Sequence, residues 1–526
     1  MATLLSRIGV QSIILAVLPP VLRAYATRIR ESPLGYRLVR GAFWSAAGAV
    51  IARGLGIVSS IVVARVLGKV GFGELAIINS TTMMFELFAC FGLGVTATKY
   101  VAEHRDTDPL KTGRIIGVAW LITAITGSLT GASLAVLAPW LAAHTLAAPH
   151  LGGLLRITGI ALFITALNAA QSGALAGFEA FKTIASRNMI AGLLNFPIMI
   201  AGVFLAGLQG AVWATVVSCA VNWFLCHLAV RSEARRFGVP LTFSGCLQEL
   251  PLLWRFSLPA VFSGMMVVPV NWVCNALLVN QANGYAEMGL LQAANQWRNL
   301  VLFLPQLLLG PVLPILSSSQ GSASESTSFQ KTMSVTQGFI VVVTFPVAVA
   351  CMFFSDYLMR IYWKTQSDES VPLIGCMLAA LIQGLGGAIG PALSAMGRMW
   401  LGFMLNLVWG VLYIVIVACC AARMGAAAVT FGQAIAYAFL ASLTFLCLRH
   451  NLPKGMLVRF FLGLGLAGLL TILALLAPGV WRTWLGIPIV IGVSVCGVRW
   501  FLGSEIRAVF RPGRPCIDQE TVSPHP

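Results

Sequence analysis

Three charged residues lie deep inside long apolar runs: Arg53 between Ala42 and Val66, Glu86 between Phe72 and Ala97, and Arg298 between Met288 and Val312. A charge at bilayer depth is costly and is usually kept for a pathway, a ligand or a partner. A guanidinium offers fork-shaped donors that fit carboxylate and phosphate oxygens. Glu86 sits at a matching depth on the antiparallel neighbour of the first run. It either neutralises Arg53 or, as the one acid near mid-membrane, binds a coupling ion. Arg298 has no such neighbour, because no Asp or Glu occurs between Glu249 and Glu287 and the preceding run offers only Asn271 and Asn275. It either remains an unneutralised cation or donates to carbonyls freed at Pro269 or Pro305. Amides gather in the same runs, among them Asn168, Gln171, Asn295, Gln296 and Gln383. They line a wet cavity that accepts hydroxyl groups, or they act as glue between helices.

The elements that must hold these residues are membrane spans. Apolar residues make up 58% of the 526 and charged residues 10%, and stretches of about 20 apolar residues recur along the whole chain. Lys and Arg number 34 against 17 acids. The basic residues sit in the short connections between runs, which is a topology signal rather than a nucleic-acid footprint. The pattern predicts an all-α membrane protein with about fourteen transmembrane helices, each long enough to cross hydrocarbon. An even number puts both termini on one side. With that side cytoplasmic, about 25 of the 34 basic residues fall in inside segments, as the positive-inside rule requires.

Arg7, the apolar stretch Ile8 to Leu22 and Ala24-Tyr25-Ala26 imitate a signal peptide. Pro19-Pro20 break that stretch, and cleavage would place Arg28, Arg30, Arg37 and Arg40 outside, so a helix on the inner leaflet is the preferred reading. The expected organisation is a cytoplasmic or interfacial arm over 1–41, a six-helix bundle over 42–230 and a cytoplasmic linker over 231–255. A second six-helix bundle follows over 256–448, then two further transmembrane helices over 449–506 and a cytoplasmic tail over 507–526.

Catalytic signals are missing. The 12 cysteines form no CxxC pair, the 6 histidines show no metal spacing, and neither GxSxG, Walker A nor HExxH occurs. The longest outside connections, near 139–152 and 355–370, are too short to fold alone. No enzyme activity, cofactor or metal is expected, and a glycan polymerase or ligase, which presents a large outside loop, is the least favoured class.

An internal repeat organises the spans. Glu74-Leu75-Ala76-Ile77-Ile78-Asn79 matches Glu287-Met288-Gly289-Leu290-Leu291-Gln292 at an offset of 213, and Leu208-Gln209-Gly210-Ala211-Val212 sits beside Arg423-Met424-Gly425-Ala426-Ala427 near an offset of 215. Two copies with an even number of spans face the same way and relate by a pseudo-twofold along the membrane normal. Together with Ala64-Arg65-Val66-Leu67-Gly68, Gly71-Phe72-Gly73, Leu290-Leu291-Gln292-Ala293-Ala294-Asn295-Gln296 and Leu302-Phe303-Leu304-Pro305, these features make the chain resemble the MOP exporter superfamily from about Arg40 to Ile506. Within it the resemblance is to the Wzx-like polysaccharide flippases.

The resemblance implies two bundles around a cavity alternately open to cytoplasm and periplasm, in a bacterial inner membrane. The implied cargo is an undecaprenyl-pyrophosphate-linked oligosaccharide, such as an O-antigen, capsule or exopolysaccharide unit. Coupling to H+ or Na+ and contact with membrane lipids, a glycan polymerase or chain-length machinery are further implied partners. A pyrophosphate needs fixed cations, so Arg53 and Arg298, with Asn295, Gln296 and Asn271, are the expected substrate contacts, and Glu86 the expected ion-coupling group. A lipid II-type flippase and a multidrug antiporter of the same superfamily are the alternatives; a net basic interior disfavours export of organic cations.

Overall fold

The computed structural model describes residues 33–90, 92–242, 245–249, 266–318, 323–363, 367–387, 389–390, 393, 399–449, 455–477, 479–497 and 499. Most of the expected arm over 1–41, part of the linker over 231–255 and the tail over 507–526 lie outside these residues. Among the described residues there is no strand.

The chain runs through α1 (Pro33–Cys90), α2 (Leu93–His104), α3 (Pro109–Trp140), α4 (Gly152–Gly177) and α5 (Phe181–Arg236). A second set follows, with α6 (Val267–Val279), α7 (Gly284–Ser318), α8 (Ala323–Phe353), the short α9 (Ser355–Arg360), α10 (Val371–Leu385), α11 (Met399–Met424) and α12 (Ala426–Cys447). Two more, α13 (Met456–Leu476) and α14 (Gly479–Gly497), close the chain. Among the described residues eight helical stretches are long and apolar enough to cross a bilayer. Their outer surfaces present large apolar side chains to lipid, such as Leu205 and Leu476 at 86% and 77% exposure.

Two of these stretches are interrupted. In α1 the backbone leaves helical geometry at Gly68 (φ 71°, ψ −178°), and in α5 at Ala206 and Gly207 (φ 54°, ψ −129° at the glycine). A straight helix would separate residues 202 and 210 by about 12 Å. Instead a Cβ on Gly210 would lie 1.8 Å from the Gly202 carbonyl oxygen, so α5 is a hairpin whose legs touch at two glycines. The turn between α11 and α12 repeats it, with Gly425 at φ 53° and ψ −132°. By turn geometry Gly425 corresponds to Gly207, not to Gly210 as the sequence match set it.

The bundles meet at one end. The main core cluster takes Val63, Phe72, Leu75, Leu151 and Val212 from the first bundle together with residues of α6 to α13. A separate cluster, built on Val101, Ile115, Leu175, Cys226 and Val230, holds the opposite end of the first bundle and contains no residue of the second. At the shared end α1 and α7 cross so tightly that a Cβ on Gly73 would sit 1.9 Å from the Tyr285 carbonyl oxygen. Beyond Trp272, no hydrogen bond or core cluster among the described residues joins the bundles. A closed seam therefore stands at the end carrying the 68 and 283 turns.

The C-terminal pair packs on the second bundle. Phe460 of α13 stacks on Phe445 at 4.2 Å between ring centres, and Arg482 of α14 is buried in an ion pair with Asp356 at 3.0 Å, also reaching Ser355 and Ser370 at 3.2 Å each. Removing one partner of a buried pair costs roughly 3 to 5 kcal/mol because the other charge is left uncompensated, so Arg482 and Asp356 tie α14 to the 355–370 segment as a pair.

Candidate functional site

Arg298 lies on α7, about 21 Å along the helix from its start, inside the second bundle. Its Nη1 donates to Gln433 Oε1 on α12. Gln433 Nε2 donates in turn to Asn271 Oδ1 on α6 at 3.3 Å, and Asn271 Nδ2 donates to the Val267 carbonyl at 2.7 Å. The guanidinium is also close enough to act electrostatically on Cys376, Tyr413 and Tyr437. Among the described residues it forms no ion pair, and its buried Nε has no hydrogen-bond partner. The acceptor is thus a side-chain amide rather than a carbonyl freed at Pro269 or Pro305. Asn295, one turn before Arg298, accepts from Cys376 Sγ at 3.7 Å. Gln296 is partly buried beside it on α7.

The structure therefore brings Arg298, Asn271 and Asn295 into one polar cluster and adds Gln433, Tyr413 and Tyr437. The last three carry no pattern of their own in the sequence. The signal that could have pointed to Gln433 is an amide at mid-helix in an otherwise apolar stretch, Ala426 to Cys447.

Arg53 and Glu86 belong to the first bundle and stand apart from this cluster. Glu86 is partly buried on the second leg of α1, where it acts on Cys90 and on Cys219 of α5. Arg53 shares a helix face, by its spacing, with Ile57, Ser60 and Ala64, the face that meets the second bundle at the seam. Among the described residues Arg53 and Glu86 form no ion pair, and Arg53 Nε is buried without a partner. Equal depth puts the two charges at one level on the two legs of α1, and no salt bridge joins them.

Of the other amides, Gln171 is only 3% exposed, and its Nε2 lies 3.5 Å from His227 Nδ1 between Trp120 and Trp223. It works as interhelical glue.

The seam is polar at its rim and aromatic beneath. Lys69 pairs with Glu369 at 2.6 Å, Arg65 donates to the Ile361 carbonyl at 2.7 Å, and Trp363 Nε1 donates to the Ala64 carbonyl at 2.8 Å. Phe72 packs on the rings of Tyr362 and Trp363. Deeper, α6 reaches across: Trp272 Nε1 donates to Thr81 Oγ1 and Asn275 Nδ2 to Ser80 Oγ, both at 3.0 Å. The arrangement is a fixed, unneutralised cation with amide and hydroxyl neighbours in one bundle, beneath a seam made of separable polar and aromatic contacts. It can hold an anion.

Residues 38–320 match the family described as polysaccharide biosynthesis protein. The chain is similar to the EPS I polysaccharide export inner membrane protein EpsE of Ralstonia nicotianae, with 25% identity over 78% of this chain and 93% of the relative. Among solved structures it is similar to the lipid II flippase MurJ in an inward closed conformation, with a TM-score of 0.65, 16% identity and coverage of 88% and 99% of the two chains. It is also similar to an inward-facing multidrug resistance MATE family transporter of the MOP superfamily, with a TM-score of 0.61, 15% identity and coverage of 76% and 93%. At such identities the structural likeness carries the fold.

Proposed function

We propose that this chain, which belongs to the polysaccharide biosynthesis protein family and has the MOP-superfamily fold, moves an undecaprenyl-pyrophosphate-linked oligosaccharide across the bacterial inner membrane by alternating access. The protein is a multi-pass membrane exporter and not an enzyme. The observation that carries the finer reading is Arg298, a guanidinium deep in the second bundle with an amide partner and no described acid. A pyrophosphate group supplies the missing counter-charge, and the planar fork fits it in a way that a point charge cannot. The relative's name, a polysaccharide export inner membrane protein, agrees with such cargo.

In this cycle the closed seam is the periplasmic gate, and parting of the bundles at the opposite end admits the lipid headgroup from the cytoplasmic leaflet. Both termini then lie in the cytoplasm, where the basic connections put them. Arg53, on the seam-facing side of α1, meets the headgroup from the first bundle, and Asn271, Asn295 and Gln296 complete the contacts. Glu86 is the coupling group if an ion gradient drives the return.

The test is surface glycan in cells whose protein level is measured in parallel. Arg298→Ala should abolish glycan display at unchanged abundance, and Arg298→Lys should restore only part of it. Full display in the Ala variant would remove Arg298 from the binding site and with it this reading.

A further inference from the structure

A cavity of about 410 Å3 lies inside the second bundle between the ends of α10, α11 and α12 remote from the seam. That volume is within the usual range of small-molecule sites. Its polar lining is Gln383, Asn406, Tyr437 and Thr444, and among the described residues none that lines it is charged. Phe403, Leu405 and Leu440 supply apolar walls. Gly390 and Gly402 also line it, and a Cβ built on either meets nothing within 4 Å, so the space is left open by the absence of side chains. The cavity adjoins the cation: Tyr437, which lines it, lies one helical turn along α12 from Gln433, the acceptor of the Arg298 guanidinium.

Resting on the proposed function, we infer that this cavity is the sugar subsite, holding the first neutral sugars of the glycan while Arg298 holds the pyrophosphate. A sugar ring has apolar C–H faces and a rim of hydroxyls. The cavity answers both, with an aromatic and aliphatic wall and a set of amide and hydroxyl groups. A prenyl chain fits less well, because it would cover the Gln383 and Asn406 amides without giving them partners. An ionic group would find no counter-charge among the described lining residues. The position is also right, since one shared side chain, Tyr437, separates the cavity from the cation, and in the linked substrate the first sugar follows the pyrophosphate directly.

The test measures equilibrium binding of radiolabelled probes to the full chain in nanodiscs. The probes are undecaprenyl pyrophosphate and a panel of its glucosyl, galactosyl and N-acetylglucosaminyl derivatives. At least one glycosylated probe should bind about tenfold more tightly than the bare lipid, the worth of one or two neutral hydrogen bonds. Gly402→Phe, which fills the cavity, and Asn406→Leu, which removes an amide while keeping the branched side-chain shape, should each abolish that preference and leave bare-lipid affinity unchanged. Asn406→Leu decides the matter if the filled variant does not fold.

Persistence of the preference in both variants, or no preference in the parent protein, overturns the subsite. Equal weakening of bare and glycosylated probes assigns the cavity to the prenyl chain and overturns it too. Failure of the parent protein to bind any probe, with Arg298→Gln indistinguishable from it, instead defeats the pyrophosphate reading and this inference together.

Discussion

The two deep arginines occupy different kinds of surroundings. Arg298 is held in a chain of side-chain hydrogen bonds through Gln433 to Asn271, so its fork is fixed before any ligand arrives. Arg53 has no such chain among the described residues, and Glu86, at its level, faces cysteines instead. A fixed fork loses little conformational freedom on binding an anion, whereas an unfixed one on a separating surface can follow a moving ligand. The second bundle is thus the pre-organised half and the first the adaptable half.

The sharpest way to break this contrast is at Gln433. Gln433→Leu leaves guanidinium donors buried and unpaired, a loss of roughly 1 to 3 kcal/mol, and should lower glycan display about tenfold or more. Cys219→Val, next to Glu86 in the first bundle, should change display by less than a factor of two, because a buried cysteine acts as a small apolar residue. Equal effects, read as surface glycan per unit of protein, would erase the distinction between the halves.

Glu86 sharpens it further. Because no ion pair to Arg53 is formed, Glu86→Gln should leave abundance nearly unchanged, not reduced by the roughly 3 to 5 kcal/mol that opening a buried pair costs. The protein should still bind undecaprenyl pyrophosphate and fail only in gradient-driven translocation in liposomes. A scarce Glu86→Gln protein, rescued by the double variant Arg53→Gln with Glu86→Gln and showing a normal gradient response, would make the carboxylate a structural partner after all.

The seam between the halves offers a smaller effect. Lys69 and Glu369 are partly exposed at 29% and 28%, so removing the pair with Lys69→Met should cost at most about 1 kcal/mol. That corresponds to a shift of no more than about fivefold toward the open seam, seen as faster modification of a Ser60→Cys label by impermeant thiol reagents in a variant free of the 12 native cysteines. Unchanged labelling would exclude the pair from the gate.

Orientation is checked without any functional change. His150→Cys, at a position whose side chain is 62% exposed near the seam end, should react in intact cells, and Lys182→Cys should be protected. Ala148, the choice that loop position suggests, is only 2% exposed and unsuitable. The reverse pattern would invert the topology.

Composition and periodicity carry far in such a chain, because lipid forces every span to satisfy its own backbone and leaves long apolar helices as the answer. Arg298 was legible for the same reason: a cation there has few allowed explanations. Its partner was not, since Gln433 is 135 residues away in sequence and only packing of α7 against α12 brings it near. Depth along a span is encoded in residue count, but helix face between partners is not, so equal depth left open whether Arg53 and Glu86 pair. The motif Ala64-Arg65 marks the family, yet its physical role, carbonyl and guanidinium contacts across the seam, emerges only when Ile361 and Trp363 are in place. Asp356 and Arg482 likewise read as ordinary loop charges until the fold buries them together.

One short helix touches both halves of the molecule. Asn271 of α6 is bonded into the Arg298 cluster, while Trp272 and Asn275, its near neighbours, are bonded to Thr81 and Ser80 of the other bundle. Occupancy of the cation and closure of the seam thereby become linked variables, and linkage is reciprocal. If filling the Arg298 site favours parting of the seam by some factor, then the parted state must bind pyrophosphate more tightly than the closed state by that same factor, and weakening the seam with Trp272→Phe should tighten apparent binding by at most that factor. The two halves share a single free-energy cycle, and α6 is where its two sides can be compared.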